Sequence, residues 1–120
     1  MRARRSRRSF TGRTDKPVAG VDQTANRCEL TARIAEIKAM RYTPAGVPAL
    51  NLTLDHASDV MEAGQARQIK ATLRAVALGS LAERLGNQAV GSAWRFTGFL
   101  ATPRNGKNVQ LHIQEFSPSP

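Results

Sequence analysis

Two cationic residues, Arg104 and Lys107, flank an Asn-Gly pair at positions 105–106. The pair separates two apolar alternations, residues 94–100 and 109–113. Asn-Gly in this setting predicts a two-residue type I′ hairpin turn, because both central residues of that turn need positive φ. A guanidinium and an ammonium group on one projecting turn are suited to phosphate oxygens. The chemistry indicated is electrostatic binding of a nucleic-acid backbone.

Further cations lie at positions that predict outward-facing side chains. Lys70 and Arg74 alternate with apolar residues on a predicted strand, so they project away from the core. Lys38 and Arg41 flank the entry to the first loop, next to Tyr42. The ring of Tyr42 either stacks on a base or covers the mouth of the barrel. Together these residues predict a cationic groove.

The composition limits the classes of protein that fit. The chain has 120 residues, a mass of 13.0 kDa and 18 Lys and Arg against 9 Asp and Glu, for a net charge of +9. This size predicts one folded domain, and the charge favours polyanionic partners. No apolar run approaches the ~20 residues that span a bilayer. The single cysteine, Cys28, excludes an intrachain disulfide framework and fits a reducing compartment, so we expect a cytoplasmic protein without membrane contact.

The positive charge is concentrated at the N-terminus. Residues 1–25 hold seven basic and two acidic residues, a net charge of +5, and show no apolar period. We expect residues 1–25 to form a disordered basic arm, residues 26–116 the folded domain, and residues 117–120 a short tail. The arm either adds nonspecific affinity for nucleic acid or results from a start codon assigned too early.

The folded part is predicted to contain five strands and one short helix. In the first strand the apolar register slips between Ile34 and Ala35, which indicates a β-bulge that bends the strand. Residues 50–55 and 69–75 alternate as the second and third strands, joined by an irregular link at 62–64. The apolar alternations around the Asn-Gly pair form the last two strands.

The helix is predicted at residues 79–88, with Ser80 as N-cap and Gly86 as its end. It falls between the third and fourth strands. A long bent first strand followed by this order predicts an all-β OB-fold, which is a five-stranded Greek-key barrel. Trp94, Phe96 and Phe116 follow the apolar alternation and are expected in the core. The groove along the second and third strands is where OB-folds bind oligonucleotides.

Several short motifs match one family in order and spacing. They are Asn26-Arg27, Pro44-Ala45-Gly46-Val47-Pro48, Leu52-Thr53-Leu54-Asp55-His56, Glu62-Ala63-Gly64, Arg67-Gln68, Val90-Gly91-Ser92, Gly98-Phe99 and Asn105-Gly106. From residue 26 to residue 116 the chain resembles the PriB family, the primosomal replication protein N. The resemblance implies an OB-fold homodimer that binds single-stranded DNA and stimulates or stabilises the PriA helicase at stalled replication forks, together with other primosome proteins.

The same resemblance implies binding roles for individual residues. Family members carry basic residues at positions matching Arg41, Arg67 and Arg104, and in the loop that holds Lys107. Lys70 departs from the pattern, because it stands where the family has a base-stacking tryptophan. The missing ring removes about 1–3 kcal/mol of stacking per base, so binding is expected to depend more on charge. The candidate nucleic-acid-binding residues are therefore Lys38, Arg41, Tyr42, Arg67, Lys70, Arg74, Arg104 and Lys107.

Other functions fit the sequence less well. His56 and His112 lack partners at metal-ligand spacing, and the chain contains no phosphate-loop, paired-carboxylate or nucleophile-elbow motif. We therefore expect neither an enzyme nor a cofactor. Two alternatives stay open, a general strand-coating protein and an RNA-binding OB module. Residues 115–120 lack the acidic tail that is typical of strand-coating proteins, which counts against the first.

Overall fold

The computed structural model describes residues 24–119. The predicted basic arm, apart from its last two positions, and the last tail residue lie outside this range. The strands are β1 (Cys28–Ile37), β2 (Arg41–Tyr42), β3 (Pro48–Glu62), β4 (Gln65–Leu78), β5 (Ala93–Ala101) and β6 (Gln110–Pro118), and the helix is α1 (Ser80–Gly86). Strand β6 therefore runs two residues past the predicted domain end at 116. Within residues 24–119 no helix has the length and apolarity of a membrane span.

Five of these strands close into a barrel. They follow the order β1-β5-β6-β4-β3, and β1 also pairs with β3, which joins the two ends. The β4–β6 pair is parallel and the others are antiparallel. Helix α1 lies between the third and fourth barrel strands, and the two-residue strand β2 extends the sheet at the edge of β3. The predicted all-β OB-fold is confirmed, with β2 as an unpredicted addition.

The bulge in β1 lies at the predicted position. Ile34 pairs with Leu54 and Glu36 pairs with Thr53, so Ala35 is the extra residue. Because a bulge bends its strand and increases the twist, β1 pairs with β5 along residues 28–33 and with β3 along residues 33–37. One bent strand thus closes the barrel.

The core consists of the inward residues of the alternating strands. Ile34, Leu54 and Phe96 are fully buried, and each contributes roughly 1.5–3 kcal/mol through its burial. Trp94 and Phe116 are half-buried and pack on this core, edge to face, with their ring centroids 5.0 Å apart. The indole N–H of Trp94 donates to Ser92 Oγ at 2.9 Å. The expected core position is confirmed for Phe96, whereas Trp94 and Phe116 are partly buried and pack against the core.

The link between β3 and β4 is a tight hairpin, so the predicted irregular link at 62–64 is wrong. The register runs without a shift from Ala49 opposite Leu78 to Glu62 opposite Gln65. Ala63 (φ 53°) and Gly64 (φ 79°) form the turn with positive φ at both positions, as a type I′ turn requires. Beyond residues 55 and 72 this hairpin leaves the barrel as a two-stranded ribbon, residues 56–71.

The β5–β6 loop also differs from its prediction. Pairing of Ala101 with Gln110 leaves an eight-residue loop, residues 102–109. The Gly106 N–H donates to the Pro103 carbonyl at 3.0 Å. Neither Asn105 nor Gly106 has positive φ, which among the described residues occurs only outside this loop. The predicted type I′ turn at 105–106 is therefore wrong. Pro103 lacks the N–H that would continue the ladder to the Asn-Gly pair, so the strands separate earlier.

The N-cap of helix α1 lies one residue earlier than predicted. Gly79 (φ 74°) is its N-cap without a side-chain hydrogen bond, and Ser80 is its first residue, so the predicted Ser80 cap is wrong. The chain turns from β4 into the helix through positive φ, which favours glycine at the cap. The helix ends at Gly86 as predicted, and it buries Leu81 and Leu85 against the barrel.

Gly98 lies where β5 approaches the backbone of β6 too closely for a side chain. A Cβ at this position would overlap the carbonyl oxygen of His112, a backbone atom of the neighbouring strand. We expect Gly98→Ala to lower the free energy of unfolding by about 3 kcal/mol or more, because neither backbone can yield without breaking the β5–β6 ladder. Chemical denaturation measures this loss. Gly86→Ala is the control, since its Cβ would make ordinary contacts of 3.6 Å with Met40 and 3.9 Å with Leu50. Equal stability of both variants would contradict the close approach.

Candidate nucleic-acid interface

Three of the candidate cations lie on one outward face of the barrel. Their cross-strand partners on β3 are Ala49 for Arg41, Ala57 for Lys70 and Thr53 for Arg74. Residues 49, 53 and 57 share a face because side chains alternate along a strand, and cross-strand partners point the same way. The leucines of β3 occupy the opposite, buried face. Arg41, Lys70 and Arg74 therefore form a cationic face across β2, β3 and β4.

Arg41 is held in place by a residue that sequence reasoning missed. Its Nε donates to Asn51 Oδ1 at 2.9 Å. Asn51 lies on the same outward face, between two buried leucines of β3. In the sequence, a polar residue between two apolar neighbours of a predicted strand was the signal that could have identified Asn51. Because a guanidinium has five N–H donors, Arg41 keeps four for a ligand while this bond orients it.

Lys70 borders a concavity of about 690 Å³ at the base of the ribbon. Its lining also includes Asp55, Thr72 and His56. The Thr72 hydroxyl donates to Asp55 Oδ1 at 3.1 Å. His56 Nδ1 donates to the Thr31 carbonyl at 2.6 Å, and its Nε2 lies 2.8 Å from Ser58 Oγ. These polar groups are hydrogen-bonded within the protein, whereas Lys70 itself forms no ion pair within residues 24–119.

Lys38 and Tyr42 lie on either side of Arg41. Lys38 precedes β2 and forms an ion pair with Glu36 at 3.8 Å. Both side chains are more than half exposed, so the pair contributes little stability and is readily exchanged for a phosphate. Tyr42, in β2, pairs with Pro48 of β3 and is 65% exposed. Lys38 lies beside Asn51 at the edge of the cationic face, because its N–H donates to the Asn51 carbonyl at 2.9 Å. Tyr42 points to the other side of β2, because its partner Pro48 shares the side of the leucines of β3.

Arg67 is the candidate that the fold keeps apart from the others. Its partner on β3 is Val60, which lies on the opposite side of the ribbon from Ala57 and Lys70. Its guanidinium forms an ion pair with Glu62 beside the hairpin turn. The structure therefore does not bring Arg67 onto the cationic face.

Arg104 and Lys107 lie exposed in the β5–β6 loop. Neither forms an ion pair with another residue of the described range 24–119. Strand β6 runs parallel to β4 with Leu111 opposite Ala75, so the loop enters β6 at the position alongside Arg74. The loop therefore ends next to the cationic face.

In the described part of the chain no group of three His, Cys, Asp or Glu residues is arranged to hold a metal ion.

The chain is similar to several known proteins over its folded part. A family model described as another single-strand binding protein family matches residues 26–115. Replication restart protein PriB of Bordetella pertussis is 48% identical over 91 residues, covering 75% of this chain and 85% of the relative. The solved structure of PriB from Ralstonia solanacearum has a TM-score of 0.73 at 38% identity, covering 79% of this chain and 98% of that one.

A second solved structure shows a wider relationship. The single-stranded DNA binding protein from Thermus aquaticus has a TM-score of 0.65 at 26% identity, covering 80% of this chain and 50% of that one. The barrel and its cationic face thus define an OB-fold protein of the single-strand-binding class. Within that class the chain belongs to the PriB family of replication restart proteins. The family indicated by the sequence motifs is confirmed.

Proposed function

We propose that this protein binds single-stranded DNA at stalled replication forks as a restart protein. The observation that carries the proposal is the alignment of Arg41, Lys70 and Arg74 on one outward face of an OB barrel. The exposed cations of the β5–β6 loop lie next to that face. The names of the Bordetella and Ralstonia relatives, which describe PriB, support the restart role.

The binding mechanism follows from the kinds of side chain present. Lysine and arginine contact phosphate oxygens, which every nucleotide carries, so binding has little sequence preference. Each phosphate that a cation neutralises releases condensed counterions, and this release drives association. The reaction is binding alone, without a chemical step or a cofactor. Lys38 adds a cation at the edge of the face once it exchanges Glu36 for a phosphate.

Two protein partners are part of the proposal, both in the cytoplasm. The first is the PriA helicase, which this protein would stimulate or stabilise on forked DNA. The second is another copy of the chain. Residues 28–32 of β1 pair with β5 but not with β3, which leaves one edge of β1 without a strand partner within residues 24–119, although the Thr31 carbonyl accepts from His56. An open edge is a ready template for pairing with another strand, and this supports a homodimer.

A helicase assay tests the proposed function. PriA unwinding of a forked DNA is measured with and without this protein, and we expect faster unwinding with it. In parallel, RNA and single-stranded DNA of equal length compete for the protein. Preference for DNA together with faster unwinding supports the restart role. DNA binding without any effect on PriA would favour the general strand-coating protein, and preference for RNA would favour the RNA-binding module.

The first binding prediction concerns salt. If the three cations of the face and the two of the β5–β6 loop each contact one phosphate, log affinity falls by about 3.5 per tenfold rise in salt, at roughly 0.7 per contact. Fluorescence anisotropy with a labelled oligonucleotide measures the slope. An affinity unchanged between low and moderate salt would exclude the electrostatic mechanism.

The second binding prediction concerns the loop cations. Replacing Arg104 and Lys107 together with Ala is expected to weaken DNA binding and to reduce the salt slope by about 1.4. Thermal stability is expected to stay nearly unchanged, because exposed loop charges contribute little to folding. The control is the Arg84→Ala, Arg95→Ala double variant, which removes the same charge from α1 and β5. Equal affinities of the two double variants would show that the loop does not bind DNA.

The third binding prediction uses the fluorescence of Trp94. Its ring packs against Phe116 and its N–H is bonded to Ser92, so DNA on the cationic face should quench it weakly at saturation. Lys70→Trp places an indole on that face and is expected to give strong quenching and a smaller salt slope, because stacking replaces one phosphate contact. Strong quenching of the unmodified protein would mean that DNA reaches Trp94.

A further inference from the structure

An apolar groove lies on the outward side of the barrel, between β4 and β6. The two strands pair at Ala75 with Leu111 and at Val76 with His112. Beyond these pairs β4 turns at Gly79 into α1, while β6 continues past residue 113, so the two strands separate. The gap between them, the β4–β6 groove, has a volume of about 320 Å³. This volume lies at the lower end of the range for ligand pockets, about 300–1,000 Å³.

The side chains that line the β4–β6 groove are mostly apolar. Leu78, Leu81 and Ile113 are among them, and Phe99 and His112 stack on each other beside them with ring centroids 4.9 Å apart. None of the lining residues in the described range is Lys, Arg, Asp or Glu. Leu78 is 47% exposed, so further burial of its side chain would still be favourable. The groove is therefore suited to an apolar side chain of another molecule.

Two arginines flank the groove on the same outward side. Arg74 precedes Val76 by two positions on β4, which places their Cα atoms roughly 7 Å apart. The Arg41 guanidinium is held at Asn51, the cross-strand partner of Val76, so it lies about one strand spacing from the groove. Neither arginine forms an ion pair within residues 24–119. The groove is thus an apolar site with a cationic rim.

We propose that the β4–β6 groove binds an acidic segment of a partner protein that carries one apolar anchor residue. The anchor fills the groove beside Leu78, and carboxylates next to the anchor lie against Arg41 and Arg74. An extended chain advances about 3.3 Å per residue, so residues two or three positions from the anchor reach both arginines. The proposal goes beyond the proposed DNA binding, because it assigns a protein-binding site and the chemistry of its ligand.

The charge and shape of the groove argue against other occupants. A second copy docked about a twofold axis would bring its own Arg41 and Arg74 to the same interface, and like charges repel. Residues 1–25 have a net charge of +5 and are unsuited for the same reason. A nucleobase stacks on a flat ring face, whereas aliphatic side chains line much of this groove, and Phe99 and His112 cover one face of each other. An acidic segment with an apolar anchor matches both the lining and the rim.

The test measures binding of two labelled peptides to the full chain by fluorescence anisotropy. One peptide has a central leucine with two aspartates on each side, and in the other peptide serine replaces the leucine. The serine peptide is expected to bind about 10-fold more weakly, the equivalent of one buried leucine side chain. With Leu78→Gln the two peptides are expected to bind nearly equally. The matched control is Leu100→Gln, a leucine that is 40% exposed and lies outside the lining, and this variant is expected to keep the 10-fold difference.

The outcomes separate this proposal from its alternatives. Equal binding of both peptides to the unmodified protein would overturn the groove as an anchor site, because charge alone would then explain the binding. A 10-fold difference that survives Leu78→Gln would overturn it as well. Because the two peptides are compared on one protein, a partial loss of stability in a variant does not mimic the effect.

Binding of a thymidine oligonucleotide is measured in parallel. Leu78→Gln is expected to leave DNA affinity nearly unchanged, because it removes no cation from the cationic face. A loss of DNA affinity of about 10-fold would assign the groove to DNA and overturn the proposal. If the unmodified protein binds the leucine peptide but not the oligonucleotide, the proposed function fails and the groove proposal stands.

Discussion

The extra residue at Ala35 is the constraint on which the rest of the barrel depends. A straight strand cannot follow both β5 and β3 around a small barrel, whereas a bulged strand bends and twists enough to change partners along its length. Closure gives β3 and β4 an inside and an outside. Leu52, Leu54 and Phe96 pack inside the barrel, and polar and charged residues lie on its outside.

The cationic face is a consequence of that closure. Among the described residues no polar or charged side chain is buried, so the cations of the folded part all stay at the surface. A charge buried without a partner would destabilise the fold by about 3–5 kcal/mol. Strand alternation then places Arg41, Lys70 and Arg74 on one side of the sheet. None of these three cations forms an ion pair within residues 24–119, so their positive field is available to a polyanion.

Two turns show why local sequence signals have limits. Asn105-Gly106 is the stronger hairpin signal, yet the type I′ turn forms at Ala63-Gly64. The difference lies in the flanking strands, because β3 and β4 pair continuously up to their turn while Pro103 ends the ladder of β5 and β6 early. Ala63 therefore adopts positive φ although its Cβ disfavours it. Continuous pairing of two long strands outweighs the preference of one residue.

Alternation by itself determined the five barrel strands, the bulge and the outward direction of Lys70 and Arg74, because the side-chain period of a strand is a local property. The order of strands and helix was enough to indicate the OB-fold, and the charge was enough to indicate a polyanion. Alternation also separates Arg67 from Lys70, because the two residues lie three positions apart on one strand. Only the tertiary structure decided that Arg41 lies on the same face as Lys70 and Arg74, because this depends on how β2 and β4 pair with β3. Register and cross-strand pairs such as Arg41 with Asn51 arise only when separate strands meet, so the pattern within one strand does not contain them.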